Sequence, residues 1–537
     1  MGVFDNEKVL SETPEYTITD KDYEHWLRVI VGDKTGETLF SQDVWISKLP
    51  VLYIDTEDGE PITTKEYYVP ANLRIQGNEE YEQQYLGTTQ VKGRGNSSWI
   101  GYPQKPYKLK LDNKTSLFGF GKSRHWVLIS NFNDKCGLRN YIASQLAKKL
   151  GVIGMNMTWV DVVVNGEAKG CYMLSQHVRV EKHSVNVFDW ESEAENIANP
   201  LFSWLSEERT DLTVDDLTLL EDSMKRNFSW VTSGLVNFKE QAYDLVDYGL
   251  KQEYNVKQGY LIEAKGESNR LNGFKTPKGV FLEVKVPERV FTNEEMMSVA
   301  VDVWNNFEAE CCQEPSSKGK EYEKYADVQS MIGIWLVNEI MAQGDPDNSR
   351  FSHIPEDGRL HFGPVWDFDH SSACWSTSKK VNNFYTLENR EPHTYFQYWF
   401  PDPVLCQQAF DIYWEVARPF MTDYLSEGGE MDKKYDFIAK SLETNDHLWG
   451  TYPSLLYPSA QPRTAKEDFE ILKDFLRKHM DWLDQQLESP ETFIDATNEF
   501  CPYPYKEAQI ARKVIQDKRL YVIRGAKRYS ISGQRIK

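Results

Sequence analysis

The stretch VKGRGNSSWIGYPQKPYKLKL, Val91 to Leu111, decides how the chain is read. It ends in a strict alternation. Tyr107, Leu109 and Leu111 point one way and Lys108 and Lys110 the other, as on a β-strand with one apolar face. The segment before it is a turn. Two glycines, Gly93 and Gly95, flank Arg94, and Asn96, Ser97 and Ser98 add short polar groups. In such a turn backbone N–H groups can converge on an anion. The same composition also makes an ordinary Gly/Asn turn, and Lys108 could equally be a solvated lysine on an edge strand. The pattern GxxxxGK[ST] is absent, so this is not a Walker loop.

Composition bounds what surrounds it. The chain has 537 residues, 40% hydrophobic and 13% aromatic, ample for sizeable cores and enough for two to four domains. Its net charge of -21 argues against a broad nucleic-acid surface and against adhesion to anionic membrane. The 7 cysteines have no regular spacing and no CxxC pair, so neither a disulfide framework nor a structural zinc site is expected. No apolar run approaches the ~20 residues of a membrane-spanning helix. The first residues carry no signal-peptide pattern; a Met-Gly start is also what remains when such a peptide has been replaced.

Working outward, residues 1–85 read as β-rich, with VLYIDT (51–56) and KEYYVPANLRI (65–75) joined across an acidic turn. HWVLISN (125–131) is a further strand. LRNYIASQLAKKLG (138–151) is a helix with Leu138, Ile142, Leu146 and Leu150 in one stripe and Gly151 closing it. WVDVVVNGEAKGCYMLSQHV (159–178) is a hairpin about Asn165-Gly166. Residues 190–258 form an acidic, mostly helical insertion. Strand patterns return at 259–266 and 280–288, and from about residue 293 the chain is mainly helical. It is interrupted by the hairpin-like RFSHIPEDGRLHFGPVWDFD and ends in short β runs about Arg524-Gly525. The fold class is therefore α+β, with a β-rich N-terminal lobe and a mainly helical C-terminal lobe.

Two acidic clusters fall in the second half. AQGDPDNSR (342–350) places Asp345, Asp347 and Asn348 in a turn after an apolar helix. These are ordinary turn residues, but their oxygens also suit a hard cation, and a carboxylate there could deprotonate a hydroxyl. GPVWDFDHSS (363–372) sets Asp367 and Asp369 into an aromatic run, where ionised carboxylates need compensation. With the hairpin as a return loop, the two clusters can meet. The histidines form no HxxxH or HxH site, and most are expected to be surface or packing residues.

The ordered blocks VKGRGNSSW, KPYKLKL, WVLISNFNDKCGLRN, VVVNGEAKGCYML, GYLIEAKGE, FLEVKVPE and GPVWDFD resemble the CotH kinase family over roughly residues 86–490, with 491–537 as a tail. The resemblance implies a two-lobed, protein-kinase-like fold and phosphoryl transfer from ATP, with Mg²⁺ or Mn²⁺, to Ser/Thr hydroxyls of a protein acceptor. It implies a turn of Arg94, Gly95, Asn96 and Ser97 over the phosphates, with Lys108 or Lys105 pairing with them. Asp345 would orient the hydroxyl, in preference to Asp347. Asn348 and Asp367 would hold the metal, with Asp369 a second ligand or a structural partner. Where the family hairpin has a glutamate the chain has Gln176; if that glutamate positions the lysine, Gln176 keeps a hydrogen bond but loses the charge pair. The tail YSISGQRIK is similar to the ends of exported proteins of Bacteroides-type bacteria, which implies a secreted or cell-envelope setting.

Two other readings remain. One is a catalytically inactive, kinase-like binding or assembly module, motivated by Gln176. The other is a metal-dependent glycosyl or phosphate enzyme using Asp367-Phe368-Asp369, which leaves the RGNSSW and KPYKLKL blocks unexplained.

Overall fold

The alternation at Tyr107–Leu111 builds one stave of a barrel. The computed structural model describes residues 8–502, apart from residues 14, 33–37, 41–42, 79–81, 83, 265–269, 315, 317, 345–349, 375–378, 389–394, 451 and 453–462, and the backbone of four strands within 512–536. Short strand pairs come first: β1 (His25–Leu27) with β4 (Val44–Ile46), and β2 (Ile30–Gly32) with β3 (Thr38–Phe40). Then follow β5 (Val51–Thr56), β6 (Val69–Gln76), β7 (Tyr85–Gly93), β8 (Tyr107–Ser116), β9 (Lys122–Ser130), β10 (Met157–Val164) and β11 (Glu167–Gln176). These seven close in the order β10-β11-β9-β8-β7-β6-β5, the last gap sealed by parallel pairing of β10 with β5.

Side-chain parity fills the interior. Leu73, Val91, Leu109, Trp126, Leu128 and Leu174 all turn inward and form a core of their own. The expected boundary at 85/86 therefore separates no sheets, because β5 and β6 complete the same barrel as β7–β11. The Asn165-Gly166 turn has both residues at positive φ (51° and 77°), the conformation that matches strand twist in a two-residue hairpin.

Between β7 and β8 lies the short helix α1 (Ser97–Gly101), and between β9 and β10 lies α2 (Arg139–Lys149). Leu138, Ile142, Leu146 and Leu150 are all buried, and Gly151 (φ 77°) ends the helix as expected. The insertion comprises α3 (Trp190–Glu208), α4 (Val214–Arg226), α5 (Trp230–Ser233) and a hairpin of β12 (Leu235–Phe238) with β13 (Gln241–Asp244).

A second sheet, in the order β15-β16-β14-β17-β18, joins β14 (Tyr260–Ala264), β15 (Gly273–Lys275), β16 (Phe281–Val286), β17 (Arg350–Ile354) and β18 (His361–Phe362). The other helices are α6 (Glu294–Cys311), α7 (Val328–Ile340), α8 (Tyr385–Glu388), α9 (Phe396–Trp399), α10 (Pro403–Ile412), α11 (Arg418–Leu425), α12 (Glu430–Trp449), α13 (Ala465–Gln486) and α14 (Pro490–Asn498); α7 packs against β18 and α12 against β11 of the barrel. A four-stranded meander, β19 (Arg512–Gln516), β20 (Arg519–Arg524), β21 (Lys527–Ser530) and β22 (Arg535–Ile536), ends the chain. The fold is α+β. Among the described residues no helix is long and apolar enough to cross a membrane.

One stitch positions the site. After β18, Val365 bridges in parallel to Gly154, and its N–H donates to the Ile153 carbonyl at 3.0 Å. The exit from α2 and the exit from the second sheet are thus tied together, and residues 366–370 are delivered against the β7–β8 connection.

Candidate active site

The two motifs that looked separate in sequence meet. The Arg94 guanidinium lies over the Trp366 ring at 5.8 Å, and its charge bears on both Asp367 and Asp369. A few residues further along each segment, the Tyr102 hydroxyl and His370 Nε2 are 2.9 Å apart, both residues buried. His370 Nε2 is also 3.7 Å from Asp369 Oδ2.

Asp367 has φ 70°, a left-handed conformation that Asp tolerates better than most residues and that fixes where its carboxyl points. As a residue it is exposed, yet burial is the main cause that pushes its carboxyl up to about 7. Both hold for a group on the floor of a cleft, open in front and densely surrounded behind. Asp369 pushes the same way by like charge, while Arg94 and His370 oppose it.

The floor is braced from below. Gln343 Nε2 donates to the Asp367 carbonyl at 3.0 Å, and Asn140 Oδ1 accepts the Phe368 N–H at 2.8 Å. Arg139, fully buried, donates to the carbonyls of Ser371 and Ser372. The same guanidinium pairs with Asp134 and Asp468 at 2.6 Å each, and Arg463 adds a second cation at Asp468 (2.7 Å). Asp134, Cys136 and Asp468 converge as a metal site would. Their charge is already met by two guanidinium groups, so this cluster does not fit a metal.

Opposite the carboxylates, the outer face of the barrel is cationic. Register sets Lys92 directly across from Lys108, and Lys110 across from His125. Like charges facing each other across strands are unfavourable unless an anion joins them. The charges that bear most on Lys108 are all positive: Arg179, Lys92, Arg94 and Lys110. Burial, reinforced by these, pushes its ammonium down to about 8. Burial first, and then the same cations, holds His177 well below its usual value and His125 down at about 3. His125 Nδ1 is buried with no hydrogen-bond partner among the described residues.

The expected residues divide as follows. Arg94, Asp367 and Asp369 come together, and Arg94 also adjoins Lys108 on the barrel face. Gly95 (φ 81°) and Asn96 shape the turn: Lys65 Nζ donates to the Gly95 carbonyl at 2.8 Å and to Asn96 Oδ1 at 3.2 Å, and Ser97 opens α1. Lys105 is engaged elsewhere, donating to the Trp99 carbonyl at 2.7 Å and lying over the Trp99 ring, whereas Lys108 adjoins Arg94.

Gln176 is not beside Lys108. It pairs in register with Trp126, turns into the barrel and donates to the Gly121 carbonyl at 3.3 Å, whereas Lys108 shares the outer face with Val127 and Ser175. Asp345, Asp347 and Asn348 lie outside the described residues.

His370 is buried, and His125 and His177 are half-buried beside the Lys108 cations, so these three pack as most of the histidines were expected to. His177 follows Ser175 by two residues on the same strand path, so the alternation that placed Lys108 could have placed it too. Tyr102 gave no signal, since its partner is distant in sequence.

The donor chemistry of Asp367 and Asp369, two carboxyls whose mutual repulsion is only partly relieved by Arg94, fits a hard divalent cation. The chain matches the family model described as CotH kinase protein over residues 91–216 and 240–483. It belongs to the CotH kinase family. The match covers the end of β7, β8–β11, both sheet exits and most of the C-terminal helices, and its break at 217–239 falls inside the helical insertion. No curated protein matches the chain.

Proposed function

We propose that this CotH family member is a protein kinase that transfers the γ-phosphoryl group of ATP, with Mg²⁺ or Mn²⁺, to Ser/Thr hydroxyls of a secreted or envelope protein. The observation that carries the reading is the meeting of the Arg94 turn, which also adjoins Lys108, with Asp367 and Asp369. Cations on one wall and carboxylates on the other are what a metal–nucleotide complex requires.

Asp367 and Asp369, with Asn348, would hold the metal, which neutralises charge on the transferring group when bound. The chain's own work is positioning. Arg94 and Lys108 draw the phosphates against the barrel. The Tyr102–His370 contact holds the β7–β8 connection to the carboxylate segment, and Arg139 and Asn140 fix that segment from below. Asp345 is assigned to accept the proton of the acceptor hydroxyl. The kinase-like two-lobed arrangement belongs to this proposal, with the barrel as nucleotide lobe. The reading as an inactive module rested on Gln176 as the lysine's partner, and that residue faces the barrel interior.

Incubation with labelled ATP and Mg²⁺ or Mn²⁺, beside an Asp367→Ala variant, tests the proposal. Label on protein with wild type and none with the variant supports it. No transfer, with ATP still raising the melting temperature, leaves a nucleotide binder and overturns the kinase. No response to ATP reopens the Asp367-Phe368-Asp369 glycosyl or phosphate enzyme.

A further inference from the structure

On the far side of the barrel two carboxyls are buried together, Glu24 ahead of the segments matched by the family and Asp161 within them. Glu24 stands at the start of the β1–β4 strand pair and Asp161 on β10, where it is 1% exposed. Both reach one hydroxyl of α12: Ser441 Oγ is 3.1 Å from Glu24 Oε1 and 2.9 Å from Asp161 Oδ2. Thr444 Oγ1 adds 2.8 Å to Glu24 Oε2. Glu24 sits at φ 65°, a conformation costly for a glutamate that persists only where its surroundings impose it. Three parts of the chain therefore converge here: the N-terminal strand pair, the barrel and α12.

The largest influences on Glu24 are burial, Asp161 and the hydroxyls of Thr444 and Ser441, with no cation among them. From β11, Cys171 is a buried thiol pushed well above its usual value by burial, Asp161 and Glu24. From β5 comes Tyr53, whose hydroxyl accepts the Trp45 N–H at 2.8 Å; Arg74 of β6 is stacked on the Tyr53 ring at 3.7 Å. On the segment itself, Asp22 is engaged by Tyr16 and Thr19, and His25 Nδ1 by the Tyr23 carbonyl. Two ionised carboxylates so buried would repel without compensation.

We propose that Glu24 and Asp161 share a single proton, that this proton holds the β1–β4 pair against the barrel and α12, and that its loss to solvent frees the pair. The carboxyl of Glu24 stands at about 8, raised by burial first and then by Asp161. The sign follows. The docked state keeps a proton that an undocked glutamate gives up near its ordinary 4.5, so docking weakens as pH rises from that value to about 8 and levels off above it. For one proton the docking equilibrium changes about tenfold per pH unit in that window.

Hydrogen exchange of the amides in residues 24–27 and 44–46, corrected for intrinsic rates and followed from pH 5 to 9 in the full chain, tests this. Wild type should lose protection by about tenfold per unit between pH 5 and 8. Glu24→Gln, which cannot ionise, should keep its protection flat, and Asp161→Asn should lower the Glu24 pKa and flatten the slope. A pH-independent wild type, or a Glu24→Gln slope equal to that of wild type, overturns the proposal. So does protection that vanishes with a chelator at constant pH, which would make the pair a metal site.

Discussion

The Tyr102 hydroxyl and His370 Nε2, 268 positions apart in the chain, stand 2.9 Å from each other in the interior. This contact closes the distance between the connection that carries Arg94 and the segment that carries Asp367 and Asp369. Tyr102→Phe keeps the ring, which packs against Phe132 at 5.2 Å, and removes only the hydroxyl. The expected loss is about 1–3 kcal/mol of stability, the cost of taking one partner from a buried hydrogen bond. ATP affinity should fall with it if the contact holds the Arg94 turn in place. Chemical denaturation and nucleotide titration measure the two separately. A variant as stable as wild type, with unchanged affinity, would show the contact to be incidental.

Asp367 gives a prediction in which stability and function part. Its folded pKa, about 7, lies above the ordinary 3.8, so the folded protein binds more protons than the unfolded chain between those values. Ionised Asp367 therefore costs stability that grows as pH rises through that window and is complete above about pH 7. Asp367→Asn removes the cost. Without metal, the variant should be more stable than wild type at pH 8 by about 1 kcal/mol, after discounting for its solvent-facing position, and equal to it near pH 3. At the same time Mn²⁺ and ATP should no longer raise its melting temperature. Loss of stability at pH 8 would contradict the carboxylate repulsion described here.

Lys108 titrates in the opposite sense. Its folded pKa of about 8 is depressed below the ordinary 10.5, so the free protein surrenders the ammonium early. Nucleotide affinity should then decline above about pH 8, approaching tenfold per pH unit, because a phosphate prefers the charged lysine. Nucleotide-free protein should gain stability over the same range, since the unfolded chain then binds the extra proton. Lys108→Arg keeps its charge throughout and should flatten the affinity profile between pH 7 and 9.5. Calorimetric titration at stepped pH reads this directly. An unchanged decline in the arginine variant would place the titrating group elsewhere.

What could be read in the sequence was whatever parity or periodicity controls. Tyr107, Leu109 and Leu111 announced a strand face, Leu138 to Leu150 a helix stripe, and Asn165-Gly166 a hairpin, because each depends on neighbours in the chain. The carboxylates of Asp367 and Asp369 stood out because their aromatic surroundings offered no compensation. Barrel closure was not legible, because it rests on parallel pairing of β10 with β5, more than a hundred residues apart. The same holds for Tyr102 with His370 and for Arg139 with Asp468, whose partners are joined only by the fold. The face of Gln176 was legible in principle: counting two by two from Tyr172 and Leu174 puts it inside the barrel, on the opposite side from the even-handed row of Lys108.

That parity decides the last prediction. Were Gln176 the partner of Lys108, Gln176→Glu would restore a charge pair and strengthen nucleotide binding. Its side chain instead lies beside Trp126 inside the barrel, 1% exposed, with Oε1 buried and without a partner among the described residues. A glutamate there faces the apolar interior of the barrel. Burial should raise its pKa, and the variant should be destabilised by about 2–4 kcal/mol at pH 8, more than at pH 5, where the carboxyl can stay protonated. The sign is that of any acid whose folded pKa is raised: stability is lost as pH climbs above the ordinary glutamate value. Denaturant unfolding at the two pH values, with ATP titration alongside, distinguishes the cases. Tighter ATP binding at undiminished stability would return Gln176 to the cleft.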